Sequence, residues 1–216
     1  MKTATITLVL ALAVIGAGCN TTENSSRNLA DPSVPGKTLA LQVCSNCHGV
    51  TGNSVNPTFP RLAGQQEWYL IAQLKGFKSH NRADSEGFGS EYMWGLSRNL
   101  TDAQIKEMAV YFAQQKPVAD KPENTKLEHD GKAIFANGLS GQSVQACATC
   151  HGAEGAGNEE SPRIAGQHGD YIIKQLLVFQ RTNERPDGAV MKVVAHNLTS
   201  EDIKAVAAYV STIASK

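Results

Sequence analysis

The sequence predicts an all-α fold built of two like units in tandem, and three observations carry that prediction. Apolar residues recur at mixed three- and four-residue spacings over Glu67 to Lys78 and Asp170 to Arg181, the period of a helix with one buried face. No segment shows the strict alternation of a half-buried strand. Pro60-Arg61-Leu62-Ala63-Gly64-Gln65 returns as Pro162-Arg163-Ile164-Ala165-Gly166-Gln167, and the match continues through Tyr69 and Tyr171, Gln73-Leu74 and Gln175-Leu176, Phe77 and Phe179, and Met93 and Met191. A tandem duplication accounts for all of these pairs at once.

Each unit opens with a short helix, expected over Gly36 to Val43 and Gly131 to Asn137. Thr101 and Thr199 stand as N-caps before the closing helices, since a hydroxyl there accepts a backbone N–H that the first turn leaves unpaired. In those helices Ile105, Met108, Ala109 and Phe112 share one face, as do Ile203, Val206, Ala207 and Val210. The copies differ in their loops: before its Cys pair the second carries extra residues that include Gly138-Leu139-Ser140-Gly141. Surface loops tolerate such insertions.

The N-terminus reads as an export signal. Met1-Lys2 precedes an apolar run from Ile6 to Gly18, too short to span a bilayer comfortably and shaped like the core of a secretory signal. Gly16-Ala17-Gly18-Cys19 resembles a lipoprotein processing site, although Gly16 replaces the usual large apolar residue. Lipidation would explain why Cys19 stands apart from the other cysteines; ordinary cleavage nearby and an uncleaved anchor are the alternatives. Residues 20–35 are rich in Thr, Asn, Ser and Pro and read as a flexible tether. The expected organisation is a signal at 1–19, the tether at 20–35, a first unit at 36–116, a linker at 117–124 marked by prolines and charges, and a second unit at 125–216.

Twenty basic residues balance twenty acidic ones, so nothing points to a nucleic-acid surface. The chemistry lies in Cys44-Ser45-Asn46-Cys47-His48 and Cys147-Ala148-Thr149-Cys150-His151, two copies of Cys-x-x-Cys-His. Two thiols at that spacing can form thioether bonds to the vinyl groups of a haem while the adjacent imidazole reaches the iron. Two Cys-x-x-Cys pairs could instead share a structural zinc or form redox disulfides, but neither use calls for a His directly after each pair. Two covalently bound c-type haems are therefore expected, with His48 and His151 as proximal ligands. Each unit is small for a self-sufficient core, so an enclosed apolar macrocycle would also serve folding.

On these residues each half resembles a class I cytochrome c, and the whole is similar to the dihaem cytochrome c4 family. The resemblance spans nearly everything from Gly36 onward. It implies two all-helical domains packed as a pseudo-symmetric pair, with the carbonyls of Pro60 and Pro162 accepting the proximal imidazole N–H. For the sixth ligand Met93 and Met191 match each other in what reads as loop context, whereas Met108 lies on an apolar stripe. Met93 and Met191 are assigned as distal ligands; core packing or a His ligand is the alternative. His80, His129, His168 and His196 have no His counterpart in the other copy and are expected at the surface. Arg61 and Arg163 could neutralise haem propionates.

His–Met ligation leaves no open position on iron, which favours outer-sphere electron transfer over small-molecule chemistry. The expectation is a periplasmic electron carrier rather than an enzyme. By resemblance its donor would be a quinol-oxidising cytochrome complex and its acceptor a terminal oxidase, with a lipid on Cys19 holding it at the membrane. An electron-accepting haem subunit of a dehydrogenase is the alternative, and a dihaem peroxidase a further one.

Overall fold

The computed structural model describes residues 26–82, 90–123, 125–181 and 185–214. Among them the only β pairing is an isolated bridge, Leu139 to Val144, and the rest is helices and loops. The first unit contains α1 (Gly36–Leu39, a π-helical turn Ala40–Cys44, then Ser45–His48), α2 (Glu67–Lys78), α3 (Ser90–Ser97) and α4 (Asp102–Ala113). The second contains α5 (Lys126–Asn137), α6 (Cys147–His151), α7 (Gly169–Arg181), α8 (Ala189–Ala195) and α9 (Ser200–Thr212).

The closing helices form as the sequence predicts. Thr101 Oγ1 accepts the Gln104 N–H at 3.2 Å while Gln104 Oε1 accepts the Thr101 N–H at 2.9 Å; Thr199 and Asp202 repeat the exchange at 3.1 and 2.9 Å. Such a capping box satisfies donors at the start of each helix. The predicted faces of α4 and α9 are buried, and they organise two separate cores. One gathers Leu39, Leu70, Leu100, Ile105, Met108 and Phe112; the other gathers Phe135, Ile172, Leu176, Ile203, Val206 and Val210. Two cores without shared members make this a two-domain molecule.

In each domain the opening helix crosses the closing one at a glycine. A Cβ on Gly36 would run into the backbone of Gln104, and one on Gly131 into the carbonyl of Ala205. The missing side chain is what lets the two backbones touch. Glu107 Oε2 also accepts the Gly36 N–H at 2.6 Å, so α4 caps α1 where no local side chain does.

Four expectations are revised. The Cys-x-x-Cys-His motif, expected at the end of the opening helix in both copies, sits there in domain 1, where the helix runs through its π turn to His48, but in domain 2 α5 ends at Asn137 and Cys147–His151 forms its own short helix; the insertion with its 3-10 turn Ser140–Gln142 separates them. Met93 and Met191 lie on helices, α3 and α8, rather than in loops; both helices are too short for periodicity to reveal. His168 is 6% exposed, not at the surface, while His80, His129 and His196 are exposed. The end of the expected tether is fastened down, since Gln104 Nε2 donates to the carbonyls of Asp31 and Val34 at 2.9 Å each and Val34 is buried. Cys19 lies outside the described residues.

The domains meet through the repeated segment. The Gln65 amide accepts the Arg163 N–H at 2.9 Å and donates to the Arg163 carbonyl at 2.9 Å; the Gln167 amide does the same to Arg61, at 2.8 and 2.9 Å. Each glutamine thus reads the other copy's main chain as a strand neighbour would, about a pseudo-two-fold axis. His168 adds a contact with only one sense, its Nε2 lying 2.9 Å from Ser54 Oγ and 3.0 Å from Ser54 O. The linker is held on both sides: Asn53 binds the Lys116 carbonyl and the Val118 N–H, and the Asp120 N–H donates to the Ser211 carbonyl.

Candidate functional site

Each Cys-x-x-Cys-His segment is helical, which brings its first and second cysteines, three residues apart, onto one side of a turn. The helix stops directly after the histidine, at Gly49 and Gly152, whose φ of 78° and 80° turns the chain away at little cost. The chain then loops back so that Pro60 and Pro162 face the histidines. His48 Nδ1 lies 2.9 Å from the Pro60 carbonyl and His151 Nδ1 lies 2.8 Å from the Pro162 carbonyl, the two bonds expected from the sequence.

A carbonyl can only accept, so Nδ1 carries the proton and Nε2 keeps its lone pair. Burial holds both imidazoles below the usual histidine pKa and outweighs the opposing effect of the proline carbonyls. Each histidine therefore presents a neutral, oriented nitrogen donor, the form that ligates a metal. Burial also pushes the Cys44 and Cys147 thiols up to about 11. Packed against the two cores along with Cys44 and Cys147 are apolar side chains that are only partly buried: Val43, Leu62 and Leu74 in domain 1, and Ala148, Ile164 and Met191 in domain 2.

Paired thiols, an oriented imidazole and a half-covered apolar wall fit a covalently held haem. They do not fit zinc, because no group of three or more His, Cys, Asp or Glu side chains comes together among the described residues. Met108 is 1% exposed in the domain 1 core, with its Sδ 3.7 Å from Cys44 Sγ, so it packs beside the attachment site as a buried apolar residue. Met93 and Met191 are half-buried on α3 and α8. Lys78 Nζ donates to the Leu100 carbonyl in the turn that follows α3 at 2.5 Å, and the equivalent Gln180 donates to the carbonyls of Ala195, the last residue of α8, and of Leu198 at 2.7 and 2.8 Å.

Beyond that shared tie the two methionine helices are held differently. Trp94, next to Met93, is stacked by His80 at 4.6 Å and covered by Arg98 at 5.0 Å, whereas Lys192 stands at the matching place in domain 2. Arg61 donates to the Gly166 carbonyl and to Asp120, both at 2.6 Å, while its Nε is buried without a partner. Burial pulls the Arg163 guanidinium below its ordinary pKa. Sequence reasoning missed Arg82 and Arg185, two further arginines that are each 8% exposed at the domain interface. Their one legible signal was a position shortly after Phe77 and Phe179 in both copies.

Comparison with known proteins agrees with this geometry. The sequence profile of the family described as cytochrome c matches twice, at residues 33–116 and 129–214. A cytochrome c4 from Azotobacter vinelandii is 34% identical, with 97% of this chain and 98% of that protein covered. A thiosulfate dehydrogenase electron acceptor from Stutzerimonas stutzeri (strain A1501) is 40% identical over 84% of this chain and 83% of its own. The crystal structure of reduced recombinant cytochrome c4 from Pseudomonas stutzeri superposes with a TM-score of 0.74 at 36% identity, covering 85% of this chain and 99% of that one. Two tandem helical domains, a haem-attachment motif in each and these similarities show that the chain belongs to the dihaem cytochrome c4 family of electron-transfer proteins, with two covalently bound c-type haems.

Proposed function

We propose that the protein carries electrons one at a time between redox proteins of the periplasm, with Cys44, Cys47, Cys147 and Cys150 as thioether attachments, His48 and His151 as proximal iron ligands, and Met93 and Met191 as distal ones. The observation that carries this reading is the matched pair of Nδ1-to-proline bonds, which leaves an oriented Nε2 donor beside each thiol pair. When bound, each haem supplies a one-electron Fe(III)/Fe(II) couple. The chain's own part would be to hold the proximal imidazole, to offer a soft thioether and to exclude water with apolar walls; the thioether and the exclusion of water favour the reduced state, while the proline carbonyl makes the imidazole a stronger donor and opposes them. A spectroelectrochemical titration of the mature protein tests the reading. Two low-spin haems without a ligand-accessible site support it, and one high-spin haem in the native protein refutes it.

The proposed donor is a quinol-oxidising cytochrome complex and the proposed acceptor a terminal oxidase. A second reading, electron acceptor of a dehydrogenase, is favoured by the similarity to the thiosulfate dehydrogenase electron acceptor. Reduction of the purified protein by each class of donor separates them, because the physiological donor reduces it at a rate that saturates. Attachment through a lipid on Cys19, which directly follows the apolar run Ile6 to Gly18, is the proposed tether. Cys19→Ser is expected to move haem-loaded protein from the membrane to the soluble periplasmic fraction. Native protein that is already soluble and begins beyond Cys19 would refute the tether.

A further inference from the structure

Helices α2 and α7 face one another across the domain interface with matching stripes, Tyr69, Gln73 and Phe77 against Tyr171, Gln175 and Phe179. Between the stripes lie Arg82 and Arg185. Arg82 donates from Nη1 to Gln73 Oε1 at 2.7 Å and from Nη2 to the Tyr171 hydroxyl at 3.0 Å and Gln175 Oε1 at 3.3 Å. Arg185 mirrors it, donating to Gln175 Oε1 from Nη1, to Gln73 Oε1 from Nη2 at 3.3 Å, and to the Tyr69 hydroxyl. Each guanidinium also sits over a phenyl ring, Arg82 over Phe77 at 4.3 Å and Arg185 over Phe179 at 4.9 Å.

The two cations therefore share two amide oxygens, and each reaches into the other domain. On another face of the same helices, Leu74 joins the apolar cluster that contains Cys44 and Leu177 joins the one that contains Cys147. By the pseudo-two-fold relation the pair stands about one helix diameter, ~10 Å, from both attachment clusters. The oxidised form of each centre carries one more positive charge than the reduced form. Cations held out of water at that distance disfavour the oxidised form in both domains.

We propose that Arg82 and Arg185 form a shared cationic centre that raises the reduction potentials of both haems together and couples them across the interface. The inference rests on the two-haem carrier reading above. Arg82 and Arg185 are positioning residues in it, acting through charge and touching no reacting atom. Its distinctive consequence is that a charge removed from domain 1 is felt in domain 2.

The test is a spectroelectrochemical titration of the full-length, haem-loaded protein, with each wave assigned to its domain by NMR of the haem methyl groups. The His–Met bands of the native protein are scored first and test the carrier reading by itself. Arg82→Gln is expected to lower both waves, so that the ratio of reduced to oxidised haem at a fixed potential falls several-fold in each domain. Arg82→Lys keeps the charge and leaves both waves near their native positions. Gln73→Glu places a carboxylate between the two arginines and lowers both waves with the pair retained, which keeps the proposal testable if Arg82→Gln loads haem poorly. Gln65→Ala, which breaks an uncharged contact of the same interface, moves neither. A shift confined to domain 1, no shift at all, or an equal shift from Gln65→Ala overturns the proposal.

Discussion

At the level of single residues, the two proposed iron sites depend on how the imidazole is held and on the methionine proposed as its fellow ligand. His48 and His151 are set by one carbonyl each, at 2.9 and 2.8 Å, while Met93 and Met191 belong to short helices fastened at or just past their ends. Met191→Ala is expected to turn the second haem high-spin and accessible to added ligands and to leave the first largely unchanged. An unaltered visible spectrum would show that Met191 is not a ligand. A second residue-scale prediction concerns Tyr69, whose phenol is pushed above the ordinary tyrosine pKa chiefly by burial and next by Tyr171, with Arg82 and Arg185 opposing. A group whose pKa is raised by folding adds stability that is intact below the unfolded value, about 10, and is lost as pH rises from there through the folded value. The protein should therefore lose stability in that alkaline window. Tyr69→Phe should flatten the loss, as followed by chemical denaturation at a series of pH values; an unchanged slope would place the alkaline weakness elsewhere.

At the level of elements, the molecule rests on one crossing repeated in each domain, where an opening helix without a side chain at the contact lies on a capped closing helix. Gly131→Ala would remove the helix penalty of glycine, worth about 1 kcal/mol, but drive a methyl into the Ala205 carbonyl, and overpacking of that kind costs about 1–3 kcal/mol. With a backbone atom as the obstacle, the cost prevails, and a net loss of up to about 2 kcal/mol is expected in domain 2. The denaturation midpoint of the second domain should fall while the first keeps its own, since the cores share no residues. A neutral or stabilising outcome would mean that α5 shifts freely over α9. The insertion before α6 acts at the same scale: it separates the haem motif from the opening helix in domain 2, whereas in domain 1 a π turn carries the helix straight into it.

For the whole molecule, two nearly equal domains are joined by exchanged glutamine contacts and by a shared arginine pair, yet their surroundings differ. Domain 1 has the His80–Trp94–Arg98 stack beside Met93; domain 2 has Lys192 there and the Pro186–Gly188 3-10 turn before Met191. Residues 86–89, the matching approach to Met93, lie outside the described part of the chain. Charge and exposure near a haem tune its potential, so the two are expected to differ by some tens of millivolts, on the order of 1 kcal/mol per electron. That gap would decide where the first electron rests. A titration that fits two identical sites, in the intact protein and in separately expressed halves, would remove the asymmetry.

The covalent chemistry and the duplication were legible from residue order, because Cys-x-x-Cys-His and the Pro-Arg-(Leu/Ile)-Ala-Gly-Gln repeat are local patterns whose meaning does not depend on what packs against them. The capped closing helices were legible for the same reason: Thr101 and Thr199 act within one turn, and the buried faces follow the helical period. The helices that carry Met93 and Met191 were not, since eight and seven residues are too few to display a period and the chain at or just past their ends is tied by Lys78 and Gln180 from another helix. His168 looked like a surface residue because its partner, Ser54, is 114 positions away in the other domain. Arg82 and Arg185 carried no motif beyond their place shortly after Phe77 and Phe179, and burial at the interface is what made them distinctive. Sequence order by itself determined what each domain binds and how it folds locally; only the tertiary structure decided how the two domains address each other, because interface contacts join residues whose separation along the chain no local period records.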